Sequence, residues 1–108
     1  RAAWERLASG KLLGSVDSLA IWFSSAVAAV ENIVEQHGGQ RVGIICHGGV
    51  INAYLAYCLN FSPEDFMKFD VDYSSVTRVF ASSEGHRSVN TINETTHFRG
   101  LPHLSVRD

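Results

Sequence analysis

The chain has 108 residues, 45% hydrophobic and 19% charged, with a formal net charge of -2 at pH 7. That length fits one domain or part of one, with a thin core that buries roughly two-thirds of the unfolded surface. The balance gives no basic field for nucleic acid or an anionic membrane. No apolar run approaches the roughly 18 residues of a membrane span, so a soluble cytoplasmic protein is expected.

Residues 2–9 have the pattern of a short helix that fades at Ser9-Gly10, and Lys11 to Val16 reads as a loop. The chain opens on Arg1 and its one methionine is Met67, which suggests processing or a piece of something longer. From Asp17 or Ser18 the pattern is helical. Leu19, Ala20, Phe23, Ala26, Val27, Val30, Ile33 and Val34 recur at offsets of three and four and line one face. Trp22, Ser24, Ser25, Glu31 and Glu35 fall largely elsewhere. Asp17 and Ser18 are N-cap candidates, and Gly38-Gly39 is a C-terminal stop.

Val42 to Cys46 is rich in β-branched residues and reads as a buried parallel strand. It runs into His47-Gly48-Gly49 and then a helix over about Val50 to Leu59, ended by Asn60. This strand-to-helix turn is the most informative stretch of the chain. In α/β folds ligands bind outside the carboxyl end of a strand, and N–H groups at a helix start attract anions. His47 and Gly48 are therefore the candidate anion-contacting residues. The structural alternatives stay open here: a strand-end histidine satisfied by a carbonyl, and glycines that serve only a tight turn.

Ser62-Pro63-Glu64-Asp65 begins a short helix that stops near Lys68. Ser75 to Ala81 reads as a strand, Ser82-Ser83-Glu84-Gly85 as a turn, and Arg87 to Ile92 as the returning strand of a hairpin. Asn93 to Asp108 is polar, contains Pro102, and reads as irregular. Arg78 and Arg87 are expected to be solvated edge charges, and Trp22 and Phe23 to pack helix against sheet. Cys46 is read as strand packing rather than a nucleophile, because no acid–base partner is identifiable nearby. Cys46 and Cys58 suggest a reduced compartment. His37, His86, His97 and His103 show no metal-ligand spacing, so no metal is expected.

Four stretches in this order carry a family resemblance. Ile45-Cys46-His47-Gly48-Gly49-Val50-Ile51 resembles the second-histidine motif of the histidine phosphatase superfamily, the phosphoglycerate mutase-like fold. Ser18 to Glu31 resembles the long helix before that motif, and Ser74-Ser75-Val76-Thr77-Arg78-Val79 the edge strand after it. Asn90 to Phe98 is similar to the terminal Leu-Asn-Asp-Thr-x-His-Leu pattern, where His97 is expected to anchor the tail. The resemblance implies a three-layer α/β/α fold, with a mostly parallel mixed sheet and an antiparallel edge hairpin.

The resemblance also implies two histidines at the site. One, in an Arg-His-Gly motif, takes the phosphoryl group covalently, a second arginine binds phosphate and a carboxylate protonates the leaving oxygen. The other histidine, which His47 matches, faces the phosphate as a donor. No Arg-His-Gly occurs in the 108 residues. The expectation is thus the C-terminal part of a single domain, with its N-terminal part upstream of Arg1. Its parent would hydrolyse phosphomonoesters through a phosphohistidine. No cofactor is implied, and the partner is a phosphorylated small molecule, with neither nucleic acid nor membrane. His-Gly-Gly resembles the phosphatase branch more than the mutases. Tyr73 stands where many relatives carry asparagine, so substrate preference is not carried over. The alternative is a non-catalytic phosphate-binding module without the nucleophile. An exchange of segments between two chains, seen as a homodimer, is a third.

Overall fold

A computed structural model describes residues 16–98. The elements run helix α1 (Val16–Gln36), helix α2 (Gly48–Leu59), a 3-10 turn (Pro63–Asp65), strands β1 (Val76–Ala81) and β2 (Arg87–Glu94), and a second 3-10 turn (Thr96–Phe98). The expected helix over residues 2–9, and the tail beyond residue 98, lie outside the described residues.

Helix α1 follows the apolar periodicity. Leu19, Phe23, Val27 and Val30 are buried, with Ala26 and Val34 packed beside them. The helix begins at Val16, so Asp17 and Ser18 lie in its first turn rather than capping it. Beyond its end Gly39 takes a left-handed φ of 75°, the conformation that its missing side chain makes cheap. By length and composition alone, Ser18–Gln36 is long and apolar enough to cross a membrane, contrary to the expectation that no stretch reaches that length. Its inward face packs against α2 and Phe66.

Helix α2 is buried from Asn52 through Ala56. It ends as its sequence predicts: Asn60 is left-handed (φ 61°, ψ 37°), and the Phe61 N–H donates to the Ala56 carbonyl at 2.8 Å. This bond satisfies one of the carbonyls that a helix terminus orphans. The chain then returns through the 3-10 turn, shorter than the helix expected to reach Lys68. Phe66 follows, fully buried. Its ring lies 5.4 Å from Trp22 and meets Phe23 edge-on at 5.9 Å. Those two side chains thus pack α1 onto this connection rather than onto a sheet.

The hairpin forms as expected. β1 and β2 pair antiparallel, from Val76 opposite Glu94 to Ala81 opposite Arg87, with irregularities around Arg78. It is a two-stranded sheet, and a mostly parallel three-layer arrangement is not formed among the described residues. The buried parallel strand over Val42 to Cys46 is corrected in the same way. That segment is exposed and has no strand partner among the described residues. Ile45 is fully open to solvent. β-branched residues favour extended backbone, but a strand exists only when a neighbour takes up its N–H and C=O groups.

One expectation about the surface fails. Arg87 is not a solvated edge charge: its side chain is 13% exposed and pairs with Glu31 of α1. Its Nε donates to Glu31 Oε1 and to the Tyr54 hydroxyl, each at 3.1 Å, and that hydroxyl donates to Glu31 Oε1 at 3.1 Å. One arginine thereby ties the hairpin to both helices. Arg78 does lie at the exposed edge, where it pairs with Glu94 at 3.0 Å.

Candidate phosphate-binding site

His47 is the N-cap of α2, in extended conformation (φ -88°, ψ 162°) with no hydrogen bond from its side chain to the helix. It is exposed, and neither ring nitrogen has a partner among the described residues. The alternative of an imidazole satisfied by a carbonyl is therefore not what these residues form. The His47 carbonyl accepts from the N–H groups of Val50 at 3.1 Å and Ile51 at 3.2 Å. Gly48 and Gly49, the first two helical residues, find no acceptor for their N–H groups among the described residues. Of these two, Gly48 is half-buried and stands beside the exposed imidazole at the positive end of the helix dipole, while Gly49 is buried; no acidic residue occupies that first turn.

The glycines are not demanded by backbone conformation. Positive φ among the described glycines occurs at Gly39 and Gly85, so Gly48 and Gly49 follow α2 with ordinary helical backbone. A side chain at Gly48 would only touch Val71 Cγ2 at 3.6 Å, an ordinary contact. The tight-turn explanation therefore loses its force. What the missing side chain at Gly48 leaves is room beside the first helical N–H, which is what an oxyanion needs.

Behind this first turn lies a residue that the sequence reading passed over. Asn52 is fully buried. Its amide nitrogen donates to the Gly48 carbonyl at 3.0 Å and to the Phe69 carbonyl at 2.9 Å, and its oxygen accepts from the Phe69 N–H at 2.8 Å. A signal was available, because a lone amide among Ile51, Ala53, Tyr54 and Leu55 must be satisfied by something when its helix is buried. The loop that it grips is fixed at its far end too. The Asp72 N–H donates to Asn93 Oδ1 at 2.8 Å, and His97 Nε2 lies 2.7 Å from the Ser74 carbonyl. His97 thus anchors the tail, as expected. Tyr73 lies exposed between these fastenings.

Cys46 is exposed beside His47. Partial desolvation raises its thiol above the ordinary value, the opposite of what a nucleophile needs at neutral pH. No group of three metal-ligating side chains comes together among the described residues.

The sequence of this chain matches the model of the histidine phosphatase superfamily (branch 1) over residues 1–95. The chain belongs to the histidine phosphatase superfamily. It is also similar to the mitochondrial serine/threonine-protein phosphatase Pgam5 of Caenorhabditis elegans, with 32% identity over 54 residues. That alignment takes in 50% of this chain and 19% of the relative, so the chain spans about a fifth of that relative's length. No solved structure matches. Superfamily membership implies an α/β fold, of which α1, α2 and the hairpin are the part that the described residues form.

Proposed function

We propose that this chain is part of a phosphatase that hydrolyses phosphomonoesters through a phosphohistidine, and that it supplies the second active-site histidine, His47. One observation carries the reading: among the described residues an exposed imidazole without a hydrogen-bond partner stands at the N-cap of a helix whose first N–H, that of Gly48, also lacks one. In a superfamily of histidine phosphatases these are donors with a task.

In the first step the nucleophilic histidine of an Arg-His-Gly motif, upstream of Arg1, attacks phosphorus. The ester P–O bond breaks and a carboxylic acid gives its proton to the leaving oxygen. In the second step water, giving a proton to that carboxylate, attacks the phosphohistidine, the N–P bond breaks, and inorganic phosphate leaves. Charge gathers on the non-bridging oxygens in both steps. His47 and the Gly48 N–H donate to those oxygens. Fixed donors in a site of this kind are worth a few kcal/mol each in the transition state.

The test is His47→Ala in the full-length natural polypeptide, assayed on a phosphomonoester and quenched to trap phosphohistidine. Turnover is expected to fall by about 100-fold or more, with the thermal midpoint nearly unchanged because the imidazole is exposed and has no hydrogen-bond partner among the described residues. Unchanged turnover refutes the role. Binding of vanadate by the parental protein without any trapped phosphohistidine refutes the enzyme and marks a non-catalytic phosphate-binding module.

A further inference from the structure

We infer that Asn52 is a positioning residue for the phosphate site, holding the first turn of α2, and with it His47 and the Gly48 N–H, against the loop from Phe69 to Ser75. The inference rests on the reading of His47 as a phosphate donor. The argument begins with the amide itself. Asn52 is the one fully buried polar side chain among the largest of the core, in a helix otherwise buried through Ala, Tyr and Leu. An apolar residue of similar volume fills such a space without needing partners. Asn52 has partners of a special kind: its carboxamide pairs with both the N–H and the C=O of Phe69, as a neighbouring strand would. It makes a third bond to Gly48, inside the first turn of its own helix.

Those three bonds fix the amide's orientation. Exchanging its oxygen and nitrogen would set an oxygen against two carbonyls and an NH2 against an N–H. They also place the linkage where position matters. Gly48 is one residue from His47, and Val71, two residues after Phe69, is the nearest neighbour of the Gly48 Cα face. The loop is independently held to Asn93 and His97. Two segments that share no local sequence are therefore fixed relative to each other at the candidate site by one carboxamide. A helix start that carries donors for a phosphate gains catalytic value only if it does not move when charge develops.

The experiment compares Asn52→Ala, Asn52→Asp and a stability control, Val30→Ala, in the full-length natural polypeptide. Val30 lies in the core on α1. Asn52→Asp keeps the shape and the acceptor for the Phe69 N–H but loses both donors, and it serves where Asn52→Ala does not fold. The readouts are kcat and KM for p-nitrophenyl phosphate, the thermal midpoint, and the His47 imidazole resonances on addition of inorganic phosphate. Both Asn52 variants are expected to lose roughly 10- to 100-fold in kcat, with KM changed far less. Val30→Ala, at a comparable loss of midpoint, should keep its kcat.

A fall in kcat shared equally by Val30→Ala, or none in the Asn52 variants, overturns the inference and leaves the phosphatase reading intact. A parental protein with no turnover overturns that reading instead. Asn52 is then judged by the His47 resonances: a phosphate response that survives in both Asn52 variants, or that the parental protein never shows, overturns the inference as well.

Discussion

Replacing Arg87 by methionine should be the most damaging change on the hairpin, although this residue reads as a surface charge in the sequence. Methionine keeps most of the stem and removes five hydrogen bonds: two to Glu31, one to the Tyr54 hydroxyl, and one each to the carbonyls of Ser82 and His86. The two carbonyl bonds face water and are replaced at little loss. The bonds to Glu31 and Tyr54 are the ones that matter, because they leave behind a carboxylate that is only 22% exposed. Stripping the partner from a wholly buried ion pair costs about 3–5 kcal/mol. Water still reaches Glu31, which lowers the expected loss to about 2–3 kcal/mol.

The pH dependence supplies a second check. The Arg87 guanidinium, more than any other group, holds the Glu31 carboxyl below its ordinary 4.5. A carboxylate with a depressed folded-state value contributes stability in full above the unfolded value, and loses it as pH falls through the folded one. The gap between the parental protein and Arg87→Met, measured by urea denaturation, should therefore be constant near neutrality and close below the ordinary carboxylate range. Glu31→Met added to Arg87→Met should recover much of the loss, since an apolar pair leaves no buried charge alone. A loss under about 0.5 kcal/mol, the scale of exposed pairs, or a gap that persists at acid pH, would refute the reasoning.

Two further outcomes are expected. Asn60→Gly should leave stability unchanged or slightly raised, while Asn60→Val should lose about 1–2 kcal/mol, because a β-branched residue resists the left-handed φ of 61°; thermal denaturation of the two variants checks this. The 108-residue chain expressed by itself should associate through the exposed Val42–Cys46 segment, and Ile45→Lys should reduce the association. Sedimentation that finds a stable monomer at high concentration, with Ile45→Lys making no difference, contradicts the latter.

Local chemistry made much of the fold legible. The α1 stripe, the Asn60 cap and the hairpin each depend on residues within a few positions of one another, so periodicity and turn chemistry suffice. The Val42–Cys46 strand does not depend on local residues. Its composition favours extended backbone, but pairing belongs to whatever lies alongside, and none of the described residues does. Glu31 and Arg87 meet across 56 positions, and neither has a neighbour in sequence that announces the other. Arg87 follows a turn and stands between His86 and Ser88, which is also how a solvated strand charge looks.

The candidate site divides along the same line. His47 and Gly48 were legible because a helix start is itself a local object whose free N–H groups follow from the geometry of the helix. The support behind them was not, because Asn52 acts on a backbone 17 residues away. The structure also reverses the weight given to the glycines. If Gly48 were kept for a left-handed turn, alanine there would strain the backbone and lower stability. It follows the helix and has room for a methyl group, so an alanine is structurally cheap and its effect should fall on phosphate approach. A glycine that the fold does not require, next to a histidine that the fold does not use, is the combination that points from architecture to chemistry.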